Sequence, residues 1–235
     1  MLLLKRILIV LIVTQLFSFP VQVLNSKTPV FGISKSKNLV NGLYADLHLK
    51  ELGLDLAVFE TALEGHQKLV HENKLAVPNL MTIVDLSQPS TNKRLYIVDL
   101  EKAQVLFNTY VSHGKNSGDL FATHFSNIPS SLQSSLGFYV TGDIYNGKHG
   151  MSLKLNGQEP GFNDLALARA IVLHGADYVS ENFIKSTGRL GRSFGCPAVA
   201  SELATPIINT IQDGSCLFVY YPDPNYMKHS SFLLN

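Results

Sequence analysis

Tryptophan is absent and cysteine occurs only twice, at Cys196 and Cys216, in a chain of 235 residues. Two cysteines in different surroundings do not make a disulfide scaffold. Cys216 lies in the strand-like run Cys216-Leu217-Phe218-Val219-Tyr220, where cysteine behaves as a small buried hydrophobe, so two free thiols are expected. Charge of one sign is lacking too, with 19 basic against 18 acidic residues. That excludes the basic footprint of a nucleic-acid binder. Charged residues make up 16% and hydrophobic ones 46%, a balance that fits a folded globular chain and not a disordered one. Nine tyrosines and thirteen phenylalanines alternate with aliphatics, as core residues do. Metal-ligand pairs at short spacing, C-x-x-C or H-x-x-x-H, are missing. His113, His124 and His149, taken with His174 and Cys196, therefore predict no zinc site, and no cofactor is expected. No internal repeat or low-complexity tract interrupts the chain.

The only long apolar run stands at the start. Lys5 and Arg6 precede Ile7 to Val13, which continues to Phe19, the pattern of a secretory signal peptide and short of the ~20 residues of a membrane helix. Val23-Leu24-Asn25-Ser26 is a poor cleavage site, so residues 1–25 are read as a signal peptide or an uncleaved N-terminal anchor. Either form exports the domain to the periplasm or cell envelope.

Residues 26–42 are polar and read as a linker. Residues 43–78 carry apolar side chains at helical spacing, broken near Gly53, and predict a helical hairpin whose second helix starts at an Asp55 cap and ends before Pro78. His66 and His71 are read as packing or surface residues. From residue 79 the period changes to two. Leu80–Leu86, Arg94–Leu100 and Val105–Val111 predict an antiparallel meander. Further strands are expected at Gly137–Thr141, Met151–Leu155, Ala170–Leu173 and Ser215–Tyr221. Helix is expected at Asn163–Ala170 and at Ser201–Gln212, kinked or restarted at Pro206 with Thr205 as cap. The fold class is mainly β with α, an α+β domain over residues 79–224, followed by a tail at 225–235.

The chemistry concentrates between Ile171 and Val199. Ile171-Val172-Leu173 reads as a buried strand that delivers His174 to its end, with Gly175 allowing the turn. Twenty-two residues after His174 comes Cys196, in Ser193-Phe194-Gly195-Cys196-Pro197. Proline suits the first helical position, which predicts Cys196 at a helix N-cap. Together with a nearby imidazole, such a site lowers a thiol pKa from ~8.5 toward ~3.5 to 7.5. The N–H groups of Gly195 and Cys196 would form an oxyanion hole. These parts suit cysteine acyl transfer, with a buried structural cysteine as the alternative. Arg192, and less so Arg189, is a candidate to bind a substrate carboxylate in a bidentate fork. The alternative is that both are solvated loop residues. Tyr139, Tyr145 and His149 are candidates to line a groove, or simply to pack.

His-Gly followed by GRLGRSFGCPA resembles the L,D-transpeptidase catalytic domain, the YkuD-like murein transpeptidases, and especially their branch with a GRLGRSxGCPA motif. The resemblance covers roughly Leu80 to Pro222, including IVDLSQPSTNKRLYIVDL, NTYVSHGKNSG and SLGFYVTGDIYNGKHGMSLKLNGQEPGFND. It implies a β-rich catalytic fold and cell-wall biogenesis as the process. It also implies that Cys196 attacks a peptidoglycan stem peptide, that His174 activates it, that the backbone carbonyl of Gly175 orients the imidazole, and that Ser193 hydrogen-bonds the loop or the oxyanion. The chain departs from the common motif at Phe194, where a second histidine stands, and at Ala198, where arginine or asparagine is common. The expected activity is an exported L,D-transpeptidase, a monomer acting through a Cys196 thioester without nucleic acid or metal. The alternatives are an L,D-carboxypeptidase or peptidase using the same site, a general exported cysteine hydrolase, and a catalytically silent wall-binding module.

Overall fold

In the computed structural model, residues 37–148 and 150–233 are described. The expected leader and the first part of the linker lie outside them, as does His149. Helix α1 (Lys37–Asp46) takes in residues 37–42, read from sequence as linker, and a turn leads to α2 (Leu56–His71). The Asp55 side chain accepts from the N–H of Ala57 at 2.8 Å, capping one of the unpaired donors of the first turn. That cap is worth about 1 kcal/mol. Val58, Phe59, Ala62, Leu63, His66 and Leu69 form the buried face of α2, which packs on the sheet. Gly65 sits mid-helix at an intrinsic cost because a β-carbon there would lie 2.0 Å from the Phe138 ring. The glycine lets the helix backbone touch the aromatic core.

Eight strands form one mixed sheet: β1 (Leu80–Asp85), β2 (Leu95–Asp99), β3 (Gln104–Thr109), β4 (Gly137–Gly147), β5 (Gly150–Gly157), β6 (Val172–Gly175), β7 (Ala198–Val199) and β8 (Cys216–Tyr220). Their order is β3-β2-β1-β8-β4-β5-β6-β7. The expected β1–β2–β3 meander is antiparallel. Two pairs are parallel, β1 with β8 and β6 with β7. Every residue of β1, β2 and β8 is buried, which accounts for their near-continuous apolar sequences. Phe138 and Phe218 stack at 4.1 Å between ring centroids where β4 meets β8. The β-rich fold with N-terminal helices stands as expected from the sequence.

Three local expectations change. Residues 163–170 form hydrogen-bonded turns and no helix; Leu165 N donates to the Asn127 side chain at 3.2 Å, and the Asn163 side chain ties the segment to its neighbours. Asn163 accepts from Glu159 N at 2.9 Å and donates to Phe138 O at 3.0 Å. Ala170 then turns back with φ of 53°. Helix α4 (Ser201–Ile211) runs through Pro206 without restarting, held by buried Ala204, Ile207, Ile208 and Ile211. Between these lies the short α3 (Glu181–Thr187), capped by Ser180. Finally, residues 225–233, read as a tail, contribute to the core. In α5 (Pro224–His229), Tyr226 is wholly buried and donates to Glu159 at 2.9 Å, while Ser230 also donates to Glu159.

Candidate active site

His174 is delivered by β6 and is buried. It pairs with Ser152 of β5 on one side and Ala198 of β7 on the other. Its Nδ1 lies 2.8 Å from the carbonyl oxygen of Gly175. A carbonyl only accepts, so Nδ1 carries a proton, and when the ring is neutral Nε2 is its proton acceptor.

The loop from Gly191 to Cys196 is stitched on both sides. Ser193 N donates to His113 O at 3.0 Å, and Lys115 N donates to Ser193 O at 2.7 Å. The Ser193 hydroxyl donates to Cys196 O at 2.6 Å and accepts from Gly195 N at 3.0 Å. The Gly195 N–H is therefore occupied, contrary to its expected place in an oxyanion hole. The N–H of Cys196 has no partner among the described residues. Gly195 adopts φ of 125°, and a β-carbon there would lie 2.8 Å from Gln133 O and 3.3 Å from an Arg169 nitrogen. Only glycine fits that turn without strain.

Cys196 does not stand at a helix N-terminus. The chain after Pro197 extends into β7, pairs with β6, and enters α4 only at Ser201. Cys196 lies in the bend before β7, the strand that pairs with β6 and so with His174. The thiol donates to Ala170 O at 3.7 Å, and the Val172 N–H faces the sulfur. Burial pushes the Cys196 thiol up, opposed by the Val172 N–H and by the charges of Arg169 and Lys148. The expected depression of its pKa is thus reversed.

Sequence reasoning missed Arg169. Its guanidinium donates to Ser126 O at 2.7 Å, Gln133 O at 2.7 Å and Ser131 Oγ at 3.2 Å, and also to Ser135 Oγ. It clamps the Ser126–Ser135 segment against the Gly195 turn, and no carboxylate neutralises it among the described residues. Arg94 was missed as well. It is wholly buried and donates to Val111 O, to Gln88 O at 2.7 Å and to His113 Nδ1 at 2.8 Å. His113 Nε2 lies 3.2 Å from Gly118 O, so one ring nitrogen faces a guanidinium and the other a carbonyl. Burial, then the Arg94 charge, lowers its pKa to about 4. That arrangement suits a neutral structural histidine and leaves no lone pair for a metal.

The remaining candidates scatter. Arg192 Nη1 is tied to Asp119 at 2.6 Å and to Gly118 O at 3.0 Å, and Arg189 lies 3.7 Å from the same carboxylate. Tyr139 is buried with its hydroxyl on Ser135 O, so it packs rather than lining a groove. Tyr145 is exposed on β4, and His124 bonds Thr123 at 3.0 Å. Phe194, two residues before Cys196, is 66% exposed, while Ala198, the β7 partner of His174, is wholly buried.

A family model described as L,D-transpeptidase catalytic domain matches residues 50–220, most of the chain. The chain belongs to the L,D-transpeptidase catalytic domain family. Among solved structures, an L,D-transpeptidase from Mycobacterium smegmatis is similar at 12% identity and a TM-score of 0.37, over 61% of this chain and 59% of that one. The helical cell shape determining protein Pgp2 from Campylobacter jejuni is similar at 17% identity and 0.38, over 68% and 55%. L,D-transpeptidase 3 from Mycobacterium tuberculosis is similar at 10% identity and 0.40, over 61% and 60%. The chain thus spans under two thirds of these proteins. No curated protein is significantly similar in sequence. Within the L,D-transpeptidase domain family, the motif residues Ser193, Gly195 and Cys196 are those that the loop hydrogen bonds join here.

Proposed function

We propose that the chain is an exported cysteine acyltransferase, an L,D-transpeptidase that acts on peptidoglycan stem peptides in the periplasm or cell envelope. The observation that supports this is the pairing at β6: the imidazole of His174 is fixed by the Gly175 carbonyl at the end of the strand, and the Cys196 thiol lies 3.7 Å from Ala170 O, just before its start. His174 Nε2 takes the thiol proton as the sulfur attacks the carbonyl carbon between an L-centre and D-alanine. The Cys196 N–H donates to the oxygen as it gains charge. Collapse breaks the C–N bond, His174 returns the proton to the leaving amine, and a thioester remains on Cys196. An acceptor amine then attacks the thioester, forming the new amide and regenerating the thiol. Neither metal nor organic cofactor takes part.

Incubation with purified muropeptides, read by mass, tests the reading. D-alanine exchange or new crosslinks support transpeptidation. Loss of D-alanine alone means that water resolves the thioester and the enzyme is an L,D-carboxypeptidase. Unchanged muropeptides with an intact, folded protein would overturn the proposal.

A further inference from the structure

Residues 111–115 hold the chain on both sides of Cys196. Ahead of it, Ser193 N donates to His113 O at 3.0 Å and Lys115 N donates to Ser193 O at 2.7 Å; behind it, Ser112 N donates to Ala198 O at 2.8 Å. A buried pair of side chains fixes that segment in turn. We infer that Arg94 and His113 form a clasp that holds the nucleophile loop in its reactive shape, which makes them positioning residues for acyl transfer at Cys196. The inference rests on the proposed function and deepens it with two residues that act through the loop and not on the substrate.

The grip is geometric. Arg94 directs Nε at 3.2 Å and Nη2 at 3.0 Å to Val111 O, and Nη2 at 2.8 Å to His113 Nδ1, so one guanidinium takes hold on both sides of Ser112. Its Nη1 donates to Gln88 O at 2.7 Å in the turn between β1 and β2. The same turn receives the start of the loop, where Leu190 N donates to Ser90 Oγ at 3.2 Å.

The His113 ring carries the hold further. A guanidinium only donates, so Nδ1 accepts, and the neutral ring keeps its proton on Nε2, which donates to Gly118 O at 3.2 Å. Gly118 O also accepts from Arg192 Nη1 at 3.0 Å, and Arg192 is the residue before Ser193. On the other side, Gly114 N donates to Ser134 Oγ at 3.0 Å, which itself donates to Gly195 O at 3.3 Å. A β-carbon on Gly114 would lie 2.6 Å from Leu132 O, so the layers leave no slack. A shift at His113 is thereby passed to Ser193 and Gly195, next to the nucleophile.

Charge gives the reason for an arginine at this place. Arg94 is wholly buried, and no carboxylate bonds it among the described residues. A buried cation is costly, and an apolar side chain of similar volume would stabilise a core at least as well. What the guanidinium supplies is direction, because its planar fork sets Val111 and His113 relative to each other.

The test labels the full chain with iodoacetamide and reads Cys196 and Cys216 separately by peptide mass. Cys216 is wholly buried in β8 and reports global opening, whereas Cys196 reports the loop. His113→Leu should raise Cys196 labelling about tenfold, the scale of one hydrogen bond to a charged group, with Cys216 still protected. Arg94→Met should do the same, and the double variant should fall short of the product of the two factors, because both remove one shared contact. In muropeptide turnover, His113→Leu should lower kcat about a hundredfold with KM little changed, the effect of moving a reacting group by about 1 Å. Labelling that rises equally at both cysteines, single effects that multiply, or an unchanged kcat would sink the clasp. Should a variant fail to fold, nitrogen NMR of the unmodified protein decides: a proton on His113 Nε2 with a bare Nδ1 supports the pair, and a proton on Nδ1 refutes it. If the variants label as expected but the parent turns over no muropeptide, the proposed function falls and the clasp stands.

Discussion

Two buried histidines should make this protein lose stability in mild acid. His66 on α2 is almost wholly buried, with Nε2 2.9 Å from Pro78 O and Nδ1 without a partner among the described residues, and burial lowers its pKa to about 4. His113 is lowered to about 4 as well, by burial and then by the neighbouring Arg94, with smaller contributions from Arg192 and Arg189. Both are neutral in the fold and free to protonate near pH 6.5 in the unfolded chain. Below that pH the unfolded state binds more protons, so stability that is fully present above pH 6.5 is lost as pH falls toward about 4. For a shift from 6.5 to about 4, the linkage integral gives about 2 kcal/mol per histidine at pH 5 and about 3.4 kcal/mol once pH is well below 4.

Urea titrations at pH 8, 7, 6 and 5 would read this directly. The native protein should lose about 4 kcal/mol between pH 8 and pH 5 from the two histidines together. In His66→Gln the amide still donates to Pro78 O but does not titrate, so the loss over the same interval should shrink by about 2 kcal/mol, whatever the variant's stability at pH 8. His113→Gln should shrink it similarly. Equal losses in variant and parent would refute the reasoning, since carboxylate titrations are common to both and cancel in the difference.

Other outcomes follow from the same geometry. In Arg169→Gln the positive charge beside Cys196 is gone, so the midpoint of its alkylation with iodoacetamide should move to higher pH, while Arg169→Lys should restore part of the difference; coincident profiles would remove Arg169 from the site. Tyr226→Phe leaves the buried Glu159 carboxyl one donor short at no cost in volume and should destabilise the protein by about 1 to 3 kcal/mol in a urea melt. An unchanged midpoint would mean that the C-terminal segment is not held through Glu159.

The elements legible in the sequence were those whose cause is local. Asp55 capped its helix, and period-two runs marked the strands, because caps and pleats act within a few residues. The parallel pairing of β1 with β8 was hidden, since Leu80–Asp85 and Cys216–Tyr220 carry no mark of each other. Pro197 misled for a related reason. Its preference for a helix start is weaker than the ladder that β7 forms with β6, where His174 N reaches Pro197 O at 3.4 Å and Ala176 N reaches Val199 O at 2.9 Å. The motif brought Cys196, His174, Ser193 and Gly195 to attention as a group. Arg94 and Arg169 escaped it because at least half of the partners of each are main-chain carbonyls, which any sequence supplies.

The reversal at Cys196 changes how the site would be driven. A cysteine at a helix N-cap would rest as thiolate and be alkylated rapidly over a broad pH range. Here burial pushes the thiol up, so under the proposed function the proton would leave during attack and His174, oriented by the Gly175 carbonyl, would take it. Two measurements on one protein separate these cases. Alkylation of Cys196 should rise with pH through and beyond neutrality, and His174→Ala should slow acyl-enzyme formation at pH 7 by about a hundredfold or more, the usual worth of a positioned base. As pH rises toward 10, hydroxide replaces the missing base and the gap between variant and parent should narrow. Fast alkylation that is flat from pH 5 upward, or a His174→Ala deficit that stays constant with pH, would show that Cys196 rests as a thiolate and that the imidazole serves it in some way other than proton removal.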